Sequence, residues 1–355
     1  MKRIQYILLI TGILALITFA CKDGYIDPIS QVDPGPDESA PVVTIDSPSE
    51  GYQIKVPEPV VPITIEFEAT DDIELGTVTV ELNGNEIAVF DEFLDYRRFV
   101  HEMEYEEVTN GQHELKITAT DKEGKSTTET VHFEKVSPYT PKYEAETFYM
   151  PFDGDYMEMI SFQTATEVGN PGFAGEGVLG GNAYQGATDS YITFPMEDLK
   201  SDEFTAAFWY KVDATPEKAG ILSVGAEPEN RQQGFRLFRE GGAESQQIKL
   251  NVGTGSGESW NDGGFLDVTA GDWVHIAITI SQTKNSLYFN GTEVRSADME
   301  AMIDWTGCEE ITIGAGGETF SYWDHLSDLS FMDELRFFNK ALTQEEVQDI
   351  MSADM

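Results

Sequence analysis

The sequence predicts an all-β protein: two successive β-sandwiches closed by one short C-terminal helix. Three observations carry that reading. Short runs of alternating apolar and polar residues recur from residue 41 onward, bounded by Gly, Pro, Asn and Asp. The Asn-Gly pairs Asn83–Gly84 and Asn290–Gly291 each sit between two such runs. A type I′ hairpin turn wants that pair because both central residues take positive φ. At the chain end, Thr343 and Glu346 have the spacing of a capping box, and Val347, Ile350 and Met351 follow at helical spacing.

The 355 residues include 64 acidic and 22 basic ones, for a formal net charge of −42. Such a surface repels phosphate backbones and anionic lipid heads, which excludes nucleic acid and direct adsorption to a membrane. The acids are scattered along the chain rather than gathered at one place, so they read as a solvated surface. Aromatic residues make up 11%, too many for a disordered chain.

Residues 1–20 differ from the rest. Lys2 and Arg3 precede an apolar run from Ile7 to Ala20, about 14 residues where a membrane span needs ~20. A basic start, a short apolar stretch and a small residue before the cut make a secretory signal. Cys21 follows at once, and the pattern resembles a bacterial lipoprotein signal, in which that cysteine is lipid-modified and becomes the new N-terminus. Residues 21–40 are acidic and rich in Pro and Gly, the composition of a flexible tether. Lys22–Asp23 resembles the acidic surface-export signals of lipoproteins in polysaccharide-degrading Gram-negative bacteria. The resemblance implies a lipid-anchored outer-membrane protein facing outward, touching the membrane through its anchor. With Cys21 lipidated, Cys308 has no disulfide partner, and a Cys-type metal site is ruled out.

From 41 to 136 the runs VVTIDSP, PITIEFEATDD, GTVTVELNG, EIAVF, HELKITATD and STTETVHFE each fit a strand. About seven strands in roughly a hundred residues, without a helix, suggest an immunoglobulin-like sandwich. The closing run ITATDKEGKSTTETVHFE resembles the end of bacterial immunoglobulin-like and cadherin-like surface modules, which implies a spacer. Asp71, Asp72 and Asp121 offer carboxylates for calcium but lack a full ligand set, so they read as polar turn residues. His101, His113 and His132 lack metal-ligand spacing.

Pro138 and Pro141 mark a linker over 137–142, and the second sandwich spans 143–355. FTAAFWYKVD, from Phe204, is apolar on both faces, as a strand buried within a sandwich would be. Trp209 and Trp273 sit in apolar runs and are assigned to the core. In the last strand, FMDELRFFNKAL, alternation puts Asp333 in phase with Phe331, Leu335 and Phe337. That expectation turns a carboxylate toward the core, where it needs a cation or several donors.

The succession FTAAFWYKVD, DWVHIAITI, LYFNG, ITIG and MDELRFFNKALTQEEVQDIM resembles the laminin-G-like (concanavalin A-like) jelly-roll family, over roughly Tyr143 to Met355. The resemblance implies a jelly roll whose first and last strands lie together, and a structural calcium there. Asp333 and Asp153, the latter from YMPFDGDYMEM, are the candidate ligands. Calcium takes six to eight oxygens, carboxylates and carbonyls among them. The competing reading has Asp333 capping backbone N–H groups without an ion.

No catalytic constellation emerges from the sequence. Laminarinase-type jelly rolls carry Glu-x-Asp-x-x-Glu on a central strand; the nearest match, Asp153 to Glu158, has Asp at the first position and lies at an edge. Neither a Gly-x-Ser-x-Gly elbow nor a His-Glu-x-x-His helix is present. Binding remains. Sugars present apolar ring faces to aromatic side chains, ringed by acids and amides. Trp260 with Asn261, and Tyr322 and Trp323 with Asp324, offer that mixture in Gly-rich polar stretches, and Trp305 adds a lesser candidate. Arg236 and Arg239 are assigned to the protein's own surplus acids. The expected function is a non-catalytic carbohydrate-binding surface lipoprotein, an accessory to polysaccharide capture by an outer-membrane uptake complex. The alternatives are an adhesin with protein partners, or a jelly-roll hydrolase or lyase.

Overall fold

The computed structural model describes residues 36–354. The expected signal peptide, Cys21 and most of the tether lie outside them. The described residues form two compact units, one built mainly on residues up to 134 and one mainly on residues from 135.

The first unit has a three-stranded sheet ordered Val42–Ser47, Val60–Thr70, Arg98–Thr109. Its five-stranded sheet is ordered Tyr52–Ile54, Ser126–Lys135, Gly111–Asp121, Leu75–Leu82, Asn85–Phe90. Period-two alternation supplies the core: one strand buries Ile63, Ile65, Phe67 and Ala69, another Leu115, Ile117 and Ala119. The hairpin turn falls on Asn83 and Gly84, at φ 54° and 74°. Strand Arg98–Thr109 went unread in the sequence because its exposed positions are mostly charged and mask the alternation.

The second unit is a sandwich of two large sheets. The seven-stranded sheet runs Thr166–Val168, Tyr191–Pro195, Glu310–Ile313, Lys218–Val224, Phe235–Gly241, Ser245–Gly253, Glu258–Asp267. The other runs Gly172–Phe173, Tyr184–Gln185, Phe331–Phe338, Phe204–Lys211, Val274–Ile280, Lys284–Phe289, Thr292–Asp298. Its eighth strand, Glu146–Met150, pairs with Phe331–Phe338 and so joins the first strand of the unit to the last. Between the sheets lies one core containing Phe148, Phe194, Phe204, Phe208, Leu237, Leu250, Ile276 and Phe337. The second Asn-Gly turn forms at Asn290–Gly291, φ 46° and 71°. Helix Gln344–Ala353 begins with the Thr343–Glu346 capping box and buries Val347 and Ile350. It packs on Ala207, Ala277, Tyr288 and Phe338, covering the outer face of the eight-stranded sheet.

The last strand departs from simple alternation. Trp209 pairs with Asp333 but Ala207 pairs with Arg336, so one extra residue is inserted opposite them. Glu334 takes up the bulge at φ 55°, a left-handed conformation unusual for a residue other than glycine. The side-chain phase shifts there: Met332, Leu335 and Phe337 lie in the core, and Asp333 shares the outer face with Trp209. Asp333 is buried, but not toward the sandwich interior as alternation alone had placed it. Trp209 is likewise buried on the outer face, and Trp273 is half-buried against Phe331 rather than in the core.

Candidate functional site

The outer face of the seven-stranded sheet is where the chain places its exposed aromatics. Strand Phe235–Gly241 points Phe235 and Leu237 into the core and Arg236 and Phe238 outward. Across the neighbouring strands Arg236 pairs with Asn251 and Asn251 with Trp260, so these three side chains form a row. The stretch from Gly314 to Ser330 folds over that row. Its short helix, Gly317–Phe320, packs Phe320 5.1 Å from Phe238, and His325 lies 4.6 Å from both rings. His325 is fully buried and Glu240 Oε1 is 3.1 Å from its Nε2; burial lowers it to about 4, against the opposing pull of Glu240.

This excursion delivers Tyr322 and Trp323 to Trp260. The indoles of Trp260 and Trp323 are 6.3 Å apart with planes 24° from parallel, and Tyr322 meets Trp323 edge-on at 5.4 Å. Trp260 and Trp323 remain 38% and 42% exposed, so together they make one apolar surface in water. The Arg231 guanidinium lies 4.5 Å from the Trp323 ring centre and 5.8 Å from that of Trp260, within cation–π range of both. Arg231 donates twice to Glu258, at 2.8 and 3.2 Å, and once to the Tyr322 hydroxyl at 3.2 Å. Asn251 donates to Glu258 at 3.1 Å. Burial pushes the Glu258 carboxyl up, but the Arg231, Trp260 and Asn251 donors outweigh it and hold it below the usual range. A recess of about 390 Å³, lined by Glu229, Asn230, Arg231, Gln232, Gly257 and Glu258, opens beside the indoles. Apolar ring faces beside charged donors and acceptors suit a polyhydroxylated ligand.

Not every residue expected at the site is there. Asn261 follows Trp260 on strand Glu258–Asp267 and therefore points to the other face. It is fully buried, donating to Asn285 Oδ1 and the Arg295 carbonyl. Asp324 is exposed next to Trp323, at φ 65° in a turn. Trp305 plugs the sandwich end, packed on Phe204 and Phe235 with its indole N–H donated to the Ser201 carbonyl.

The arginine that joins the site is Arg231, which the sequence did not single out. Arg239 pairs with buried Asp328 at 2.9 Å, as assigned. Among the described residues Arg236 pairs with no carboxylate: it donates to the carbonyls of Asn230, Arg231 and Gln233. Burial lowers it to about 10, so it is still charged at neutral pH, and it fixes the backbone that carries Arg231.

The two expected calcium ligands meet around residues 176–182. Asp333 Oδ2 accepts from Val178 N–H at 2.7 Å and Oδ1 from Glu334 N–H at 2.9 Å. Asp153 Oδ1 accepts from Asn182 N–H at 3.1 Å. Strand Glu146–Met150 has ended before Asp153, so Asp153 sits in an exposed turn. A Cβ on Gly177 would lie 2.8 Å from Asp333 Oδ2, and one on Gly181 would collide with Asp153 Oδ1, so both glycines let the loop close on the acids. Burial, with Glu334 and Asp153 adding to it, pushes Asp333 up to about 7. Burial is thus the main force that keeps the Asp333 carboxyl from ionising, and its two oxygens are capped by backbone N–H groups.

Comparison with known proteins agrees with this architecture. Residues 185–348 match the family model of the concanavalin A-like lectin/glucanases superfamily, laminin G type, and residues 41–128 that of the bacterial Ig domain. No curated protein matches the chain. Among solved structures, domain 4 of AbnA, a GH43 extracellular arabinanase from Geobacillus stearothermophilus solved with arabinotriose, is 16% identical, covering 59% of this chain and 100% of that one at a TM-score of 0.42. The receptor-binding domain of botulinum neurotoxin C/D mosaic serotype is 13% identical, with 59% and 51% covered and a TM-score of 0.44. The binding domain of botulinum neurotoxin DC, solved with SialylT, is 11% identical, with 60% and 52% covered and a TM-score of 0.43. The chain thus spans about half the length of either toxin domain. Its N-terminal unit is a bacterial immunoglobulin-like domain, and its C-terminal unit is a laminin-G-like domain of the concanavalin A-like superfamily.

Proposed function

We propose that this chain is a non-catalytic carbohydrate-binding protein whose site is the surface made by Trp260, Tyr322 and Trp323 with Arg231 and Glu258. One observation carries the reading. Two half-exposed, nearly parallel indoles are held together by residues far apart in sequence and bordered by an Arg–Glu pair. Apolar sugar faces stack on the indoles, while the guanidinium and carboxylate exchange hydrogen bonds with hydroxyls. Because Glu258 already neutralises Arg231, the site favours neutral glycans over acidic ones.

The remaining parts of the proposal follow from the sequence. Lipidated Cys21 anchors the chain in the outer membrane, the tether and immunoglobulin-like unit act as a spacer, and the partner is a polysaccharide brought to an outer-membrane uptake complex. Asp153 and Asp333 hold a structural calcium away from the sugar site.

The test is electrophoresis of the full chain through gels cast with different polysaccharides, with a reducing-sugar assay on the same mixtures. Retardation by at least one neutral glycan, without sugar release, is expected. Retardation by none sinks the reading in favour of an adhesin, and sugar release replaces it with an enzyme.

A further inference from the structure

We propose a divalent cation site of the calcium type in the N-terminal unit, formed by Asp37, Asp71 and Asp121. Asp37 precedes the first strand, Asp71 follows Val60–Thr70, and Asp121 ends Gly111–Asp121. The fold brings one carboxylate oxygen from each within 4.8 Å of the others. All three residues are more than nine-tenths buried. Two oxygens bound to one calcium at 2.3–2.6 Å can stand up to about 5 Å apart, so the spread suits that ion.

The hydrogen bonding points the same way. Asp71 Oδ1 accepts from the N–H groups of Ile73 and Glu74, and Asp121 Oδ1 accepts from Lys125 N–H. Each acid thus spends one oxygen on its own turn. The other oxygen, Oδ2 in both, is buried and finds no hydrogen-bond donor among the described residues. Leaving an anionic oxygen in that state is costly.

Lys125 does not resolve the cost. Its ammonium donates to Asp37 Oδ1 and to the Asp37 carbonyl, both at 2.8 Å, and lies 3.7 Å from Asp121 Oδ2, beyond hydrogen-bond reach. Lys125 also pairs with exposed Glu123 at 3.5 Å, so the three buried carboxylates keep at least two negative charges, which one divalent ion balances. The donors are all oxygen, which selects a hard cation over zinc or copper. Water completes the shell. Bound there, the ion clasps the segment carrying Asp37 onto the turns after Asp71 and Asp121. The sequence hid this ligand because Asp37 lies in the stretch read as tether.

Calcium chloride titrated calorimetrically into the chelator-treated full chain tests the proposal. The wild-type chain should bind calcium. Asp71→Asn, which keeps an oxygen for the Ile73 and Glu74 N–H groups, should lose one equivalent that Asp333→Asn retains. Lys125→Gln removes a positive charge beside the ligands and should tighten that site, by about tenfold. Each variant is first shown to be folded by circular dichroism. Calcium stoichiometry in Asp71→Asn equal to wild type, or unchanged or weaker affinity in Lys125→Gln, would overturn the proposal. So would a wild-type chain that binds no calcium.

Discussion

Trp260 and Trp323 lie 6.3 Å apart at 24° although one is on a strand and the other on a turn more than sixty residues later. What unites them is the excursion anchored by Phe320 and His325 on Phe238. If the indoles are the sugar platform, Trp260→Ala and Trp323→Ala should each weaken glycan affinity about tenfold, or ~1.4 kcal/mol. Both rings are roughly two-fifths exposed, so melting temperature should move little. Calorimetric titration and thermal melts of the same samples separate the two effects.

The Arg231–Glu258 pair sets charge preference and pH range. Glu258 is held below the ordinary carboxylate range, so its paired state is intact above that range and is lost as pH falls through the lowered value. Glycan affinity should therefore be flat from about pH 5 to 8 and decline below about pH 4. Glu258→Gln frees the guanidinium, so the variant should gain affinity for uronate-containing polysaccharides at low salt. Equal affinity for acidic and neutral glycans in wild type and variant would contradict the assigned role of Glu258.

Asp333 titrates in the opposite sense. Its folded value is raised to about 7, so its contribution to stability is complete below the unfolded value and disappears as pH rises through 7. Without divalent ions, the melting temperature of the laminin-G-like unit should fall between about pH 4 and 7. Calcium should reverse that fall by stabilising the ionised form, and Asp333→Asn should abolish both the pH slope and the reversal. Scanning calorimetry with calcium or chelator reads all three.

Arg336 is a second buried charge with a structural role. It donates to Glu146 at 2.6 Å and Glu334 at 2.9 Å, approaches Asp354 at 3.5 Å, and lies 3.8 Å from the Tyr149 ring centre. Removing it leaves buried acids uncompensated, so Arg336→Met should cost ~3–5 kcal/mol in urea unfolding. Arg336→Lys should recover only part, because an ammonium cannot span Glu146 and Glu334 as the fork does. Glycan affinity of the folded fraction should be unchanged, since Arg336 lies on the sheet opposite the indoles.

Features fixed by local chemistry were readable in the sequence: the Asn83–Gly84 and Asn290–Gly291 hairpins, the Thr343–Glu346 capping box, and the doubly buried strand Phe204–Lys211. Trp260, Tyr322 and Trp323 were found by exposure chemistry, an aromatic among polar and Gly residues. Asn261 was misplaced because the Gly-rich stretch read as a loop. Read as a strand, its alternation with Trp260 would have turned it inward. Asp333 was put on the wrong face because a bulge inserts one residue, and a period of two has no way to announce the slip. Arg231 has no local signature in the sequence, because its place beside the indoles depends on the packing of residues 314–330 over the sheet, a tertiary fact.

The most direct test of the account titrates the gel-retained glycan into the full chain and into the Trp260→Ala/Trp323→Ala double variant, by calorimetry in calcium. Saturable binding by the wild-type chain, lost from a double variant with unchanged melting temperature, is the predicted result. Undiminished binding by the double variant would contradict the account, placing the sugar elsewhere on the chain.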